Sequence, residues 1–268
     1  MENDEWVTGT VTIKLNGEPV EMEMTVPAKP VNPQRMLPIF HQMTNAFVDQ
    51  SVAVVEAAGK TISCKAGCGA CCRQPVPIAE SEVYQIADLV QSMPEPRRTA
   101  IKQRFAGAVE HFGNIGWFDD AKQRAELTPT ESREEATRNM VAMAMRYFYE
   151  GVPCPFLENE SCSIHESRPL SCREYLVTSP AENCAKPTAE TVRVIEMFVK
   201  ASASLRLTTR TGQLDELGFV PLIRALEIAG TFPEKFEEKT GRQWMAEFFD
   251  DLTSRHKGKT DEAGTGAA

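Results

Sequence analysis

Eight cysteines carry the chemistry this sequence could do: Cys64, Cys68, Cys71 and Cys72, then Cys154, Cys162, Cys172 and Cys184. None lies before residue 64 or after 184. The first four read C-x3-C-x2-C-C, with Lys65, Ala66, Gly67, Gly69 and Ala70 between them. Thiols this close together are suited to wrapping around a metal ion. Gly67 and Gly69 permit the positive φ and close backbone approach that wrapping needs. Lys65 and Arg73 supply positive charge that favours thiolates. Core cysteines would instead be interleaved with aliphatic residues, and here the intervening residues are small or charged. The second four are separated by seven, nine and eleven residues, with no short pair. Alone they signal a metal weakly; joined to the first group, they give two cysteine-rich loops separated by 81 residues.

The identity of the metal follows from spacing. Zinc favours short ligand pairs and a closed tetrahedron. Cys68-x2-Cys71 is such a pair, but the second group offers none. Adjacent Cys71 and Cys72 reach one tetrahedral ion only with strain. An iron–sulfur cluster accepts more distant ligands, and Cys154-Pro155 is similar to the Cys-Pro ending of bacterial ferredoxin motifs. The balance slightly favours an iron–sulfur cluster over zinc. Two allocations stay open: one four-cysteine site per loop, or downstream cysteines completing a site begun by Cys64, Cys68 and Cys71. The second would couple metal binding to folding of the whole region. C-x3-C-x2-C is also the radical SAM spacing, but the strand–helix repeat of a β/α barrel is missing. An open cluster corner would require that Cys72 is not the fourth ligand.

Arg168 and Arg173 are candidate cofactor-binding residues, because guanidinium groups beside thiolates offset charge and donate hydrogen bonds to sulfur. The competing reading is a surface ion pair with Glu166 or Glu174. His165 offers an imidazole as an extra ligand, although a histidine in such a loop more commonly makes hydrogen bonds or faces solvent. His41, His111 and His256 have no ligand context. Glu80 and Glu82 are expected to open a helix, where carboxylates suit the dipole. No P-loop, GxGxxG, GxSxG or HExxH pattern is present.

The order C-x3-C-x2-C-C, then Cys154-Pro155-Phe156-Leu157, then Cys162-x-Ile164 with Glu166, Arg168-Pro169 and Cys172-Arg173, resembles the YkgJ-type cysteine-cluster proteins. That family is described as zinc- or iron-chelating. The resemblance covers roughly residues 60–185. It implies a metal and no particular reaction. The family usually has Tyr where this chain has His165, which puts a role for the Tyr hydroxyl in doubt. A related cysteine pattern occurs in flagellin lysine methylases, so the resemblance also implies that some relatives are enzymes.

The elements that must position these residues read as mainly α. Residues 6–26 alternate in period two around Asn16-Gly17, the pattern of a β-hairpin. Helical periodicity follows at about 34–58, 80–93, 97–112 and 132–149. Ser132 and Glu135 are spaced for a capping box. Residues 113–129 read as loop and 154–184 as too irregular for helix or strand. Further helices are expected near 189–206, with Thr188 as cap, and near 217–229 and 241–254. The expected organisation is a hairpin over 1–30, a helical cysteine-cluster domain over 31–256 and a disordered tail over 257–268.

The apolar fraction of 42% and charged fraction of 25% are those of a globular protein, not a collagen-like or low-complexity one. The net charge of −9 gives no counterion-release drive toward nucleic acid. No stretch approaches the roughly 18 apolar residues of a membrane span. Met1-Glu2-Asn3-Asp4-Glu5 is acidic with no apolar run behind it, unlike a secretory signal. The expectation is a cytoplasmic protein whose partner is a metal ion or cluster, with a protein partner left open. Three roles fit: redox, metal handling or assembly; an enzyme using the metal for protein side-chain modification; or a structural zinc scaffold.

Overall fold

The computed structural model describes residues 5–15, 18–127, 130–217 and 220–263 of the chain. The fold is mainly α with an N-terminal hairpin, as the periodicity predicts. Strands β1 (Trp6–Leu15) and β2 (Glu18–Pro27) pair antiparallel, with Val7 opposite Val26 and Ile13 opposite Val20. The Asn16-Gly17 turn lies outside the described residues. Alternation gives the hairpin one apolar face. It buries Ile13 and Val26 against α1 (Leu37–Ala57) and α9 (Gly241–Ala263). The start of α9 lies so close to β2 that a Cβ on Gly241 would stand 2.5 Å from the Val26 Cβ.

Three clusters of buried side chains follow one another. The first joins the hairpin to α1, α7 (Ala201–Thr208) and α9 through Phe40, Phe47, Leu205, Trp244 and Phe248. The second gathers α2 (Glu80–Ser92), α3 (Arg97–Asn114) and α8 (Ala225–Thr231) around Val83, Ile86, Phe105 and Ile228. The third packs α4 (Trp117–Leu127) and α5 (Arg133–Tyr149) on α3; the rings of Phe112 and Tyr147 stack 3.8 Å apart. Ser132 caps α5 as its spacing predicts: its Oγ accepts from the Glu135 N–H at 3.3 Å, and the Glu135 carboxylate accepts the Ser132 N–H at 3.1 Å.

Several segments differ from the sequence expectation. The expected loop at 113–129 contains α4, because Trp117 and Ala121 bury one face against α3 and α5. The expected helix at 189–206 is helical only from Ala201. Residues before it run extended beside the second cysteine segment: Ile195 N–H donates to Leu176 O at 2.9 Å and Thr178 N–H to Arg193 O at 3.0 Å. Val192, Val194 and Ile195 are β-branched, and an available partner strand decides the local preference. Residues 154–184 contain a short antiparallel pair, β3 (Leu157–Glu158) with β4 (Ser161–Cys162), and a one-turn helix α6 (Leu170–Arg173). At the other end, α9 continues past the expected residue 254 to Ala263.

Candidate metal centre

The two cysteine segments are bonded to each other along much of their length. Cys154 N–H donates to Cys72 O at 2.7 Å, and Ser63 N–H to Val177 O at 2.9 Å. Val177 N–H points at the Cys64 Sγ, 3.4 Å away. Asn159 and Glu160 have φ of 50° and 55°, the primed turn that closes a two-residue hairpin. That turn brings Glu160 against Arg73, in a two-armed pair at 2.8 and 3.0 Å. Gly67 has φ of +81°, and its N–H donates to Ser161 Oγ at 3.0 Å. Gly69 is required by space: a Cβ there would lie 2.7 Å from Leu157 Cδ1 and 2.7 Å from Glu160 Oε2. The two glycines thus divide the roles that the sequence assigned them jointly, one for φ and one for close approach.

Glu82 makes the deepest link. Its Oε2 accepts the Ala79 N–H at 2.8 Å, half of a capping box at the start of α2. Its Oε1 accepts the Leu170 N–H at 2.8 Å, two residues before Cys172. One buried carboxylate therefore ties the first residues after one cysteine group to the helix that carries another cysteine. Burial raises its pKa from 4.5 to about 7, against the lowering effect of those two N–H groups. From the sequence, Glu82 reads as a helix-opening charge or, less readily, a proton-transfer group. With Ala79 and not Ser, Thr, Asp or Asn at the N-cap, the sequence carries no capping-box signature for Glu82, and nothing local signals Leu170.

All eight cysteines are free thiols. Seven of them, all but Cys154, line one cavity of about 440 Å3, together with Lys65, His165, Arg168 and Tyr175. Cys71, Cys72, Cys162 and Cys172 also face a second cavity of about 320 Å3, where Cys154 joins them. These four thiols are thus the partition between two cavities. Cys64, Cys68, Cys71 and Cys184 stand close enough for their charges to act on one another. So do Cys154, Cys162 and Cys172. Cys71 belongs to both neighbourhoods, and its thiol is hydrogen-bonded to Cys72. That bond and burial raise the Cys71 pKa. Burial pushes Cys154 up to about 12 and Cys172 well above the ordinary thiol value.

The two arginines separate. Arg168 lines both cavities, its charge acts on Cys64, Cys71, Cys162 and Cys172, and its buried Nε–H has no hydrogen-bond partner among the described residues. Arg173 lines neither. Its Nε–H donates to Arg168 O at 3.1 Å, one arm to Asn45 Oδ1 at 3.0 Å and the other to Glu166 O. It braces the loop that carries Arg168. The Glu166 side chain takes no part, and Glu174 instead accepts from Ser202 N–H at 2.9 Å and Oγ–H at 2.5 Å. His165 lies on the rim of the larger cavity, exposed, with its pKa lowered by the Arg168 charge and by partial burial.

The donor set suits zinc or iron: soft sulfur from several chain segments, glycines where the backbone crowds, and an unpartnered cationic N–H among thiols that become anionic on binding a metal. Among the described residues, however, no group of three or more His, Cys, Asp and Glu side chains is arranged to hold a metal ion. The thiols form walls, not a closed tetrahedron.

Residues 63–191 match the CxxCxxCC family, described as “Putative zinc- or iron-chelating domain”. The match bears out the cysteine-cluster resemblance over the segment that carries all eight cysteines, just under half of the chain. No curated protein and no solved structure matched the chain. No helix among the described residues is long and apolar enough to cross a membrane.

Proposed function

We propose that residues 31–256 form one cysteine-cluster domain, with the hairpin docked on it, that holds an iron–sulfur cluster or zinc between its two cysteine segments. The observation that carries this reading is the single cavity lined by seven cysteines from both segments. The neighbourhood of Cys64, Cys68, Cys71 and Cys184 supports the mixed allocation, in which a distant cysteine completes a site begun in the first loop. The second neighbourhood, Cys154, Cys162 and Cys172, would supply further ligands, with Cys72 beside Cys71. Arg168 would offset the charge of bound thiolates and donate to sulfur, and Arg173 would position it. An iron–sulfur cluster supplies one-electron transfer when bound; zinc supplies a Lewis acid or a structural tie. Walls set apart around a cavity of this size favour a cluster, which spans them, over one zinc ion. Eight clustered free thiols fit a reducing compartment such as the cytoplasm.

A second reading, an enzyme acting on a protein side chain, is favoured by the cavity behind the thiol partition, which gives a reactant a place beside the metal. A structural zinc scaffold would require the thiols to close into four-ligand sites when metal binds. Anaerobic purification with metal and sulfide analysis and a visible spectrum tests the assignment. Iron with sulfide and a broad visible band supports the cluster, and colourless protein with stoichiometric zinc supports zinc. Protein that binds neither, with all eight thiols intact, refutes metal binding.

A further inference from the structure

The cavity behind the thiol partition has five cysteines in its lining and extends well past them. Its volume of about 320 Å3 falls in the range of small-molecule sites, about 300–1,000 Å3. Val76, Phe156, Ile164, Ile195, Met197 and Leu222 make its walls largely apolar. Its polar side chains differ in what they have left to offer. Both oxygens of Glu174 accept from Ser202. Ser171 Oγ–H donates to Pro77 O at 2.7 Å. Gln74 and Tyr175 are hydrogen-bonded to each other. The balance of charge in the lining is cationic. Arg168 Nε–H is buried without a partner, and Lys200, exposed at the rim, acts on Glu174 through its charge with no hydrogen bond between them. Arg206 also lines the chamber, with its charge acting on Glu174 and Glu82.

We propose that this chamber binds a small organic monocarboxylate with an apolar body, its carboxylate at Lys200 on the rim and its body directed toward Cys71, Cys72, Cys154, Cys162 and Cys172. An amine fits worse, because Arg168 and Lys200 set two positive charges in the lining against the one carboxylate of Glu174. The inference rests on the proposed function only in taking the sulfur partition as one face of a metal centre; binding in the chamber does not itself require the metal.

The test titrates the full-length protein, metal-loaded and chelator-treated, with hexanoate, hexan-1-ol and hexan-1-amine, followed by calorimetry and amide shifts. Hexanoate is expected to bind about tenfold more tightly than the alcohol, the worth of one charge-assisted hydrogen bond, and more tightly than the amine. Lys200→Glu should remove that preference and leave the alcohol unchanged. Val194→Trp, at an exposed chamber-lining position that tolerates bulk, should block all three, with thermal melts confirming that both variants fold. No binding, equal affinity for the three probes, or hexanoate affinity untouched by both substitutions overturns the inference. Bound metal measured on the same samples separates the two readings. Stoichiometric metal without hexanoate binding refutes the chamber alone; hexanoate binding in protein that never holds metal refutes the metal centre alone.

Discussion

Glu82 offers a quantitative test of how the cysteine segments are held together. Its pKa is about 7 in the folded protein against 4.5 for an unperturbed glutamate. A raised folded pKa means that burial favours the neutral acid. The contribution to stability is complete below pH 4.5 and is lost as pH rises through 7. The full shift corresponds to about 3 kcal/mol, of which about 2.5 kcal/mol falls between pH 5 and pH 8. Glu82→Gln removes this dependence. Its amide oxygen can still accept the Leu170 N–H, but its NH2 cannot accept the Ala79 N–H, which costs about 1 kcal/mol at every pH. The variant should therefore be less stable than wild type by about 1 kcal/mol at pH 4 and more stable by about 2 kcal/mol at pH 8, with the order reversing near pH 5. Urea denaturation of both proteins, in chelator so that the thiol titrations cancel, measures the difference. A difference constant across pH would show that the carboxylate does not titrate as a buried acid, and the clamp between α2 and α6 would fail with it.

Four further outcomes follow from the same contacts. Cys184→Ser should lower bound metal per chain as much as Cys64→Ser does, because both stand in one neighbourhood; elemental analysis checks it. Gly69→Ala should cost about 1–3 kcal/mol by overpacking against Leu157 and Glu160, whereas Gly67→Ala, at positive φ with open space around it, should cost about 1–2 kcal/mol; urea midpoints separate the two. Metal uptake should release protons, since burial keeps Cys154 and Cys172 protonated at neutral pH, and apparent affinity should rise with pH; calorimetry in buffers of different ionisation enthalpy counts the protons. Trp117→Ala should cost about 3–5 kcal/mol if α4 is anchored as its buried indole indicates.

The parts of the fold that could be read from sequence are those whose signal is local. The hairpin alternates, α1, α2 and α3 repeat with helical period, and Ser132 with Glu135 marks the start of α5. The parts that could not be read depend on distant partners. Residues 117–127 are polar enough to read as loop until Phe112 and Tyr147 bury Trp117. Val192 to Ile195 repeat as in a helix, yet Leu176 and Thr178 offer them backbone hydrogen bonds that a helix would forgo. The cysteines were legible as candidates because their spacing is a local fact. Which cysteines neighbour one another was not, because that depends on the Asn159-Glu160 turn, the Arg73–Glu160 pair and the Cys72–Cys154 bond. Arg168 and Arg173 looked equivalent in sequence, and only the Asn45 and Glu166 oxygens that engage Arg173 distinguish them.

The order in which these contacts act bears on how a metal would enter. The cysteine segments carry little core of their own; they are placed by Phe156 and Ile164 in one cluster, Leu170 in another, and by backbone bonds between them. None of those contacts uses a sulfur as a ligand, so the scaffold can form while the thiols are neutral. Metal binding then acts on a cavity already built, and its cost is deprotonation of buried thiols and inward movement of the walls, not the ordering of two free loops. A zinc-finger-like domain behaves oppositely, folding only with its ion. The metal-free protein should therefore keep its helical content and its three cores, so that chelation loosens the segments from 63 to 78 and 154 to 184 while α3, α4, α5 and α9 stay protected from hydrogen exchange. Global unfolding on chelation would show that the sulfur ligands, and not Glu82, Arg73 and the close approach at Gly69, hold the two segments together.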